Sequence, residues 1–329
     1  MSLYRKLLVQ AWKNTWHHKY LWFFGLFAAI IGTSGELNLL FSGLDNPTES
    51  GFLPSLKAFW STGIFSGRAV ANFGDLMIND SYNLLVALTV LAVLFLLFCF
   101  LIWFSVVCQA GLVNNYSRIV ANKSHDFKAG IDAGTKKFWP VFGLNIILKV
   151  IIYIIYLLLA LPVIFLYAKF SAWQFFIFTV TYLIFIPLSI VVAFIIKYAT
   201  VYVVVKGEKL VEALRLGWEL FLKNWLVSIE MAFILFGISF VVTFCLFLCL
   251  IILAIPLLFF IFLLPYLTGG INVGLIIFCA FCTLVLGLLI IIVVGSWLSA
   301  FMIASWTGLF LELISRGGVS KLVRIFSQK

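Results

Sequence analysis

The chain has 329 residues, of which 64% are hydrophobic and 10% are charged, and its formal net charge is +10. Soluble domains average about 25% charged residues and keep a large polar surface, so these proportions exclude a soluble globular protein. The apolar runs are continuous and do not alternate with polar residues, which predicts membrane-spanning α-helices. The predicted fold class is all-α, a polytopic transmembrane helical bundle, with residues 1–329 forming a single integral membrane domain.

The first segment, residues 1–19, is basic and rich in aromatic residues, and we predict that it forms an amphipathic helix in the membrane interface. A marginal first span follows over residues 20–41, interrupted by the polar sequence GTSGE at residues 32–36. Residues 42–82 are predicted to form an outer loop rich in glycine, serine and asparagine. Its moderately amphipathic middle, residues 53–65, either rests on the outer membrane surface or is a plain connector.

Five further apolar runs follow, over residues 83–114, 141–168, 175–205, 225–265 and 271–312. The last two would each be about 60 Å long as helices, too long for one upright crossing and barely long enough for two. We interpret the fourth run as a helix to about Pro256 followed by an outer-surface piece, and the fifth as one crossing with a cytoplasmic extension. About six spans are therefore predicted, with eight as the alternative.

The distribution of basic residues predicts the orientation. Seventeen Lys and Arg residues fall in segments that six spans place on one side, and three fall in loops on the other side. Cytoplasmic loops carry this excess, so both termini are predicted to be cytoplasmic, in a cell membrane, with residues 313–329 as a basic tail. The positive charge then points to anionic lipid headgroups as the partner and not to nucleic acid.

Two cytoplasmic connectors, residues 115–140 and 206–224, are predicted to contain amphipathic helices. In the second, apolar residues recur at helical spacing at Val211, Leu214, Trp218, Phe221 and Trp225. Arg215 and Glu219 are spaced to form an ion pair. The two connectors align with an offset of 83 residues, Gly134 matching Gly217, which indicates either an internal repeat or the common drift of inner loops towards basic, Trp-rich sequence.

The pattern A-x3-G-x3-F-x2-N-W over residues 213–225, followed by a long apolar run, resembles a group of bacterial multi-pass membrane proteins. These share the membrane domain found attached to some glycerophosphoryl diester phosphodiesterases. The N-terminal residues 11–32 look similar to small bacterial inner-membrane proteins of the same type. The resemblance implies six helices with cytoplasmic amphipathic connectors. It implies no phosphodiesterase activity, because that chemistry belongs to a separate soluble domain.

Ionisable groups inside a membrane are costly and are candidates for function. Lys149 and Glu230 both fall in the cytoplasmic half of their spans, and Asn145 precedes Lys149 by one helical turn. A Lys149–Glu230 pair would line a polar cavity for an anionic solute or a lipid headgroup. The alternative is a purely structural pair, or two side chains that extend to the inner interface as Lys197 is expected to do.

The remaining reactive residue types form no recognisable catalytic or metal-binding motif. His17, His18 and His125 have no ligand at metal spacing, and we expect them to face solvent or headgroups. All six cysteines fall in apolar runs, including the C-x-x-C pair Cys279 and Cys282, and we expect buried thiols. A small-residue stripe over residues 296–308 predicts close helix packing within the bundle in preference to dimerisation.

The sequence therefore favours a non-catalytic integral membrane protein that requires no cofactor. The leading hypothesis is a binding, scaffold or membrane-organising role, with a lipid or small anionic solute as ligand. A transporter or permease-like component with a polar cavity near Lys149 and Glu230 is the alternative. A membrane or ATPase partner would fit either hypothesis, and the residues do not identify one.

Overall fold

The computed structural model of the chain describes residues 3–31, 81–166, 172–263, 266 and 273–316. Within these ranges the chain is helical and contains no β-strand, which confirms the predicted all-α fold class. The helices, numbered in chain order, are α1 Leu3–His17, α2 Tyr20–Ile31, α3 Ser81–Val120, α4 Phe127–Lys136, α5 Phe138–Leu166, α6 Ala172–Val201, α7 Leu210–Lys223, α8 Trp225–Leu258 and α9 Val273–Arg316. Short π-helical segments, Tyr202–Lys206 and Phe259–Leu263, extend α6 and α8.

Five of the described helices are long and apolar enough to cross a membrane. Their apolar stretches are Tyr82–Val120, Phe138–Ile155, Leu183–Lys206, Trp225–Leu263 and Gly274–Ser315. The predicted first span is represented by the shorter apolar helix Tyr20–Ile30. Residues 32–41 of that span lie outside the described residues, as do residues 42–80 of the predicted outer loop and residues 317–329 of the predicted tail.

The two longest apolar runs each form one continuous helix in their described parts. Helix α9 has 44 residues without a turn, and α8 has 34. Two crossings within either run are therefore excluded, and with them the eight-span alternative. The predicted break at Pro256 is wrong, because α8 continues through this residue and passes into the π-helical segment Phe259–Leu263.

The chain divides into two compact units. The single integral membrane domain predicted from the sequence stays a prediction. The first unit comprises Met1–Thr33, Ser105–Ile152 and Val191–Lys329, and the second comprises Ser34–Phe104 and Tyr153–Ile190. The first unit has a dense core of large buried side chains, among them Phe24, Tyr116, Phe194, Tyr198 and Phe301. In the second unit the described apolar side chains are mostly exposed, including Leu85, Phe95 and Leu183. Lipid-facing residues are expected to have this exposure.

Helices α1 and α2 both pack on α9 within the first unit. A methyl group added at Gly25 of α2 would clash with the carbonyl oxygen of Ser296 and lie 2.9 Å from Ala300 Cβ. The small-residue stripe of α9 therefore lies against α2, which confirms the predicted packing within the bundle.

Candidate functional site

The three amphipathic helices α1, α4 and α7 each bury a pair of small residues four positions apart. These pairs are Ala11 and Thr15, Gly130 and Gly134, and Ala213 and Gly217. Residues with this spacing lie on one face of a helix. Each helix thus has a narrow face that packs on protein, in addition to the apolar and charged faces expected of an interfacial helix.

The glycines of α4 and α7 lie against the backbone of the helix that precedes each of them. A Cβ atom added at Gly217 would lie 2.9 Å from the carbonyl oxygen of Ile195 in α6. One added at Gly134 would clash with the carbonyl oxygen of Val107 in α3. The two matched glycines both lie against backbone carbonyl groups, although Val107 and Ile195 are 88 and not 83 residues apart, and the internal repeat stays a prediction.

The apolar stripe predicted for α7 is divided between two environments. Phe221 is buried, whereas Val211, Trp218 and Trp225 are exposed at 75%, 46% and 52%. The exposed tryptophans are suited to the headgroup region of a bilayer. Sequence periodicity did not separate the protein-facing side from the lipid-facing side, because both consist of apolar or small residues.

The charged side of α7 has the predicted ion pair. Arg215 Nε lies 3.2 Å from Glu219 Oε1, and both side chains are largely exposed. Exposed pairs of this kind contribute little to stability because water screens them. The charges of α7 are therefore available to an external partner.

Of the predicted polar residues, Asn145 is buried and Lys149 is exposed. The Asn145 side-chain amide donates hydrogen bonds to Gln109 Oε1 of α3 at 2.9 Å and to the Val141 carbonyl oxygen at 3.0 Å. Lys149 lies one turn further along α5, where its ammonium group is accessible. The structure therefore assigns Asn145 to a contact between two helices.

Glu230 is half-buried in α8, and its carboxylate accepts a hydrogen bond from the buried hydroxyl of Tyr4 in α1. Among the described residues no salt bridge joins Glu230 to Lys149, so the predicted pair is not formed. The Tyr4 hydroxyl is one donor to the Glu230 carboxylate, whereas the Lys149 ammonium group is exposed. A polar intramembrane site comprising Asn145, Lys149 and Glu230 stays a prediction. The residue that sequence reasoning missed is Tyr4, which precedes Glu230 by 226 positions.

Lys197 lies close to an aromatic ring near the C-terminal end of α6. Its Nζ atom is 4.6 Å from the ring centroid of Trp306 in α9, a distance at which cation–π attraction is significant. The neighbouring Tyr198 hydroxyl shares a buried 2.6 Å hydrogen bond with the Ser228 hydroxyl of α8. These contacts join α6 to α8 and α9.

The histidines converge on the turn between α1 and α2. The ring centroids of His18 and His125 are 4.6 Å apart, and those of His17 and His18 are 5.1 Å apart. The Tyr20 hydroxyl lies 3.0 Å from His125 Nδ1. Sequence reasoning expected all three histidines to face solvent or headgroups and did not predict their contact; His17 is exposed, whereas His18 and His125 are half-buried.

The electrostatic environment of the cluster disfavours additional positive charge. Burial, followed by the neighbouring His125 and His17, lowers the pKa of His18 below its usual 6.5. The described residues contain no group of three or more His, Cys, Asp or Glu arranged to hold a metal ion.

An open groove of about 620 Å³ lies beside this cluster. It is lined by Trp12, Lys13, Asn14, Trp16, His17 and His18. The groove thus combines aromatic surface with basic groups at one end of α1.

Reactive cysteine chemistry has little support in the structure. All six cysteines are free, and Cys279 and Cys282 are partly exposed within α9. The expectation of buried thiols holds for Cys108, whereas Cys99, Cys245 and Cys249 are exposed on apolar helices. An accessible thiol on such a surface faces lipid if the helix spans the membrane.

No protein-family model, curated protein or solved structure matches the chain. The resemblance to the membrane domain of glycerophosphoryl diester phosphodiesterases therefore depends on the sequence pattern alone. Function has to be argued from the helices and side chains described above.

Proposed function

We propose that this protein is a non-catalytic integral membrane protein that binds and organises anionic lipid at the cytoplasmic face of a bacterial cell membrane. The observation that carries the proposal is the docking of three amphipathic helices, α1, α4 and α7, on the ends of long apolar helices. Their buried small residues fix them to protein, and their exposed aromatic and basic residues face outward. Both termini are proposed to be cytoplasmic.

Rigid docking gives these helices a physical advantage over isolated interfacial helices. A free amphipathic helix must become ordered when it binds a membrane, and that ordering opposes binding. Here the contacts of Gly134 with Val107 and of Gly217 with Ile195 hold the helices before any lipid arrives. Each Lys or Arg near an anionic surface then adds about 1 kcal/mol of attraction.

Helix α4 offers the clearest test, because Lys128 and Lys136 are exposed and lie away from its glycine face. The double variant Lys128→Gln/Lys136→Gln removes two charges, and the matched control Lys128→Arg/Lys136→Arg keeps them. Each protein is purified in neutral detergent and titrated with phosphatidylglycerol or phosphatidylcholine while thermal unfolding is followed.

Phosphatidylglycerol is expected to stabilise the original chain and the arginine control more than phosphatidylcholine does. The glutamine variant should lose a substantial part of that difference. Equal stabilisation of all three proteins by the two lipids would contradict the proposal, because the exposed charges would then have no role in lipid selection.

Transport of a small anionic solute is the second candidate function. It is favoured by the placement of polar groups, Gln109, Asn145 and the Glu230 carboxylate, in otherwise apolar helices. Proteoliposomes loaded with a radiolabelled anion would test it, with Glu230→Gln as the variant. Anion efflux that requires the protein and changes with Glu230→Gln supports transport, and efflux equal to that of protein-free liposomes rejects it.

A further inference from the structure

An open groove lies at the end of α1. Its volume of about 620 Å³ lies within the range of small-molecule sites, roughly 300–1,000 Å³. Lys13 and His17 on its wall are exposed, whereas the buried face of α1 comprises Tyr4, Leu7, Ala11 and Thr15. The basic groups that line the groove are therefore not required for packing α1 on the bundle.

Ring contacts hold the groove tryptophans in place. Trp12 lies edge-on to Trp297 of α9, with ring centroids 4.6 Å apart. Trp16 contacts both Trp22 at 5.4 Å and Trp297 at 6.2 Å. Both groove tryptophans nevertheless keep about half of their surface exposed, 44% for Trp12 and 54% for Trp16. An ordered and accessible aromatic surface of this kind suits the boundary between headgroup and acyl chain.

One polar group next to the groove lacks a partner. Within the described residues, the buried indole nitrogen of Trp297 has no hydrogen-bond acceptor. A buried donor without an acceptor is unfavourable. The ring that carries this donor contacts both Trp12 and Trp16, so an oxygen-rich ligand bound at these tryptophans would lie close to it.

We propose that this groove binds the headgroup of an anionic phospholipid, with Lys13 and His17 facing its phosphate and Trp12 and Trp16 facing its glycerol and acyl region. This site rests on the proposed function. It adds one saturable lipid site to the general attraction between a basic protein surface and anionic lipid. Charge complementarity and the aromatic rim together select a lipid over a soluble phosphate.

The histidine cluster gives this site a distinctive pH dependence. The groups that contact His18 are His17 on its own segment, Tyr20 of α2, and His125 from the loop before α4, and the Asp126 carboxylate acts on Tyr20. Because its pKa is lowered in the empty site, His18 is mainly neutral at neutral pH. A bound anion favours the imidazolium form, so binding takes up a proton and strengthens as pH falls.

The site is tested with the full chain in neutral detergent, using native mass spectrometry and calorimetry. The probes are dihexanoyl phosphatidylglycerol, dihexanoyl phosphatidylcholine and glycerol 3-phosphate. The variants are Lys13→Gln and His18→Gln, with Lys206→Gln, outside the three amphipathic helices, as the matched loss of an exposed lysine elsewhere. Thermal unfolding without lipid establishes that each variant is folded.

We expect one molecule of the phosphatidylglycerol probe to bind per chain, with phosphatidylcholine and glycerol 3-phosphate much weaker. Lys13→Gln should weaken binding about tenfold, as expected for loss of one charge-assisted hydrogen bond, while Lys206→Gln changes it little. Affinity should rise as pH falls from about 8 to about 5.5, the range in which histidine titrates. His18→Gln should reduce that rise.

Several results would overturn the site. Equal affinity for glycerol 3-phosphate would identify a soluble-phosphate site and reject the lipid assignment. Equal losses for Lys13→Gln and Lys206→Gln would show a diffuse charge effect, which removes the specific site but leaves the proposed function intact. If the unsubstituted chain bound anionic and zwitterionic lipid equally well, both proposals would be rejected.

Discussion

Substituting Gly134 with alanine should force α4 away from α3, because the added methyl group would meet backbone atoms. Its Cβ would clash with the Val107 carbonyl oxygen and lie 2.8 Å from Val107 Cγ1. Overpacking of this kind typically costs about 1–3 kcal/mol. The higher helix propensity of alanine offsets up to about 1 kcal/mol of this loss of stability. We therefore expect a net destabilisation of about 1–2 kcal/mol. The free energy of unfolding is measured in mixed micelles by raising the proportion of denaturing detergent.

Gly237→Ala is the matched control, because Gly237 is also helical and no atom lies within 4 Å of the Cβ that would be added. At this position only the difference in helix propensity between glycine and alanine changes the stability, so this variant should be neutral or stabilised by up to about 1 kcal/mol. The comparison separates steric contact from helix propensity. If Gly134→Ala were as stable as Gly237→Ala, the close approach of α4 to Val107 would be refuted, and with it the rigid docking on which the proposed function depends.

Three further outcomes are expected. Tyr4→Phe should destabilise the chain by about 1.5–3 kcal/mol, the usual value for a hydrogen bond to a charged group. A double-mutant cycle should show a smaller loss of stability when Glu230→Gln is already present. Asn145→Leu should lower the free energy of unfolding by about 1 kcal/mol or more, because Gln109 in α3 would lose its donor. A membrane-impermeant maleimide should label Glu212→Cys only from the cytoplasmic side and Lys57→Cys only from the outside, and labelling of both from one side would disprove the predicted topology.

The polar residues illustrate why a site is harder to predict than a span. Lys149 and Glu230 are conspicuous in the sequence because charge is rare in apolar segments, and that rarity is a local property. Which group contacts the Glu230 carboxylate depends on how α1 packs, 226 residues earlier in the chain. Tyr4 carries no signal in the sequence, since a tyrosine near a basic N-terminus is ordinary in an interfacial helix.

The histidines are a second case in which the sequence predicts the location of residues but not their contacts. His18 and His125 were predicted on the same side of the membrane because the flanking basic residues define that side. Their separation of 4.6 Å required α2 to pack on α9 and the loop before α4 to reach the turn after α1. Charge distribution predicts the compartment of a residue, whereas its neighbours depend on packing.

By itself the sequence determined the membrane class and the positions of the long helices, apart from the extent of α8 past Pro256. Both follow from a local requirement, because every backbone group in hydrocarbon must be satisfied within its own helix. Only the tertiary structure decided which face of each amphipathic helix contacts protein, which donor serves Glu230, and that tryptophan, lysine and histidine side chains surround one groove. These arrangements depend on side-chain shape across distant segments, and hydrophobic periodicity carries no information about shape.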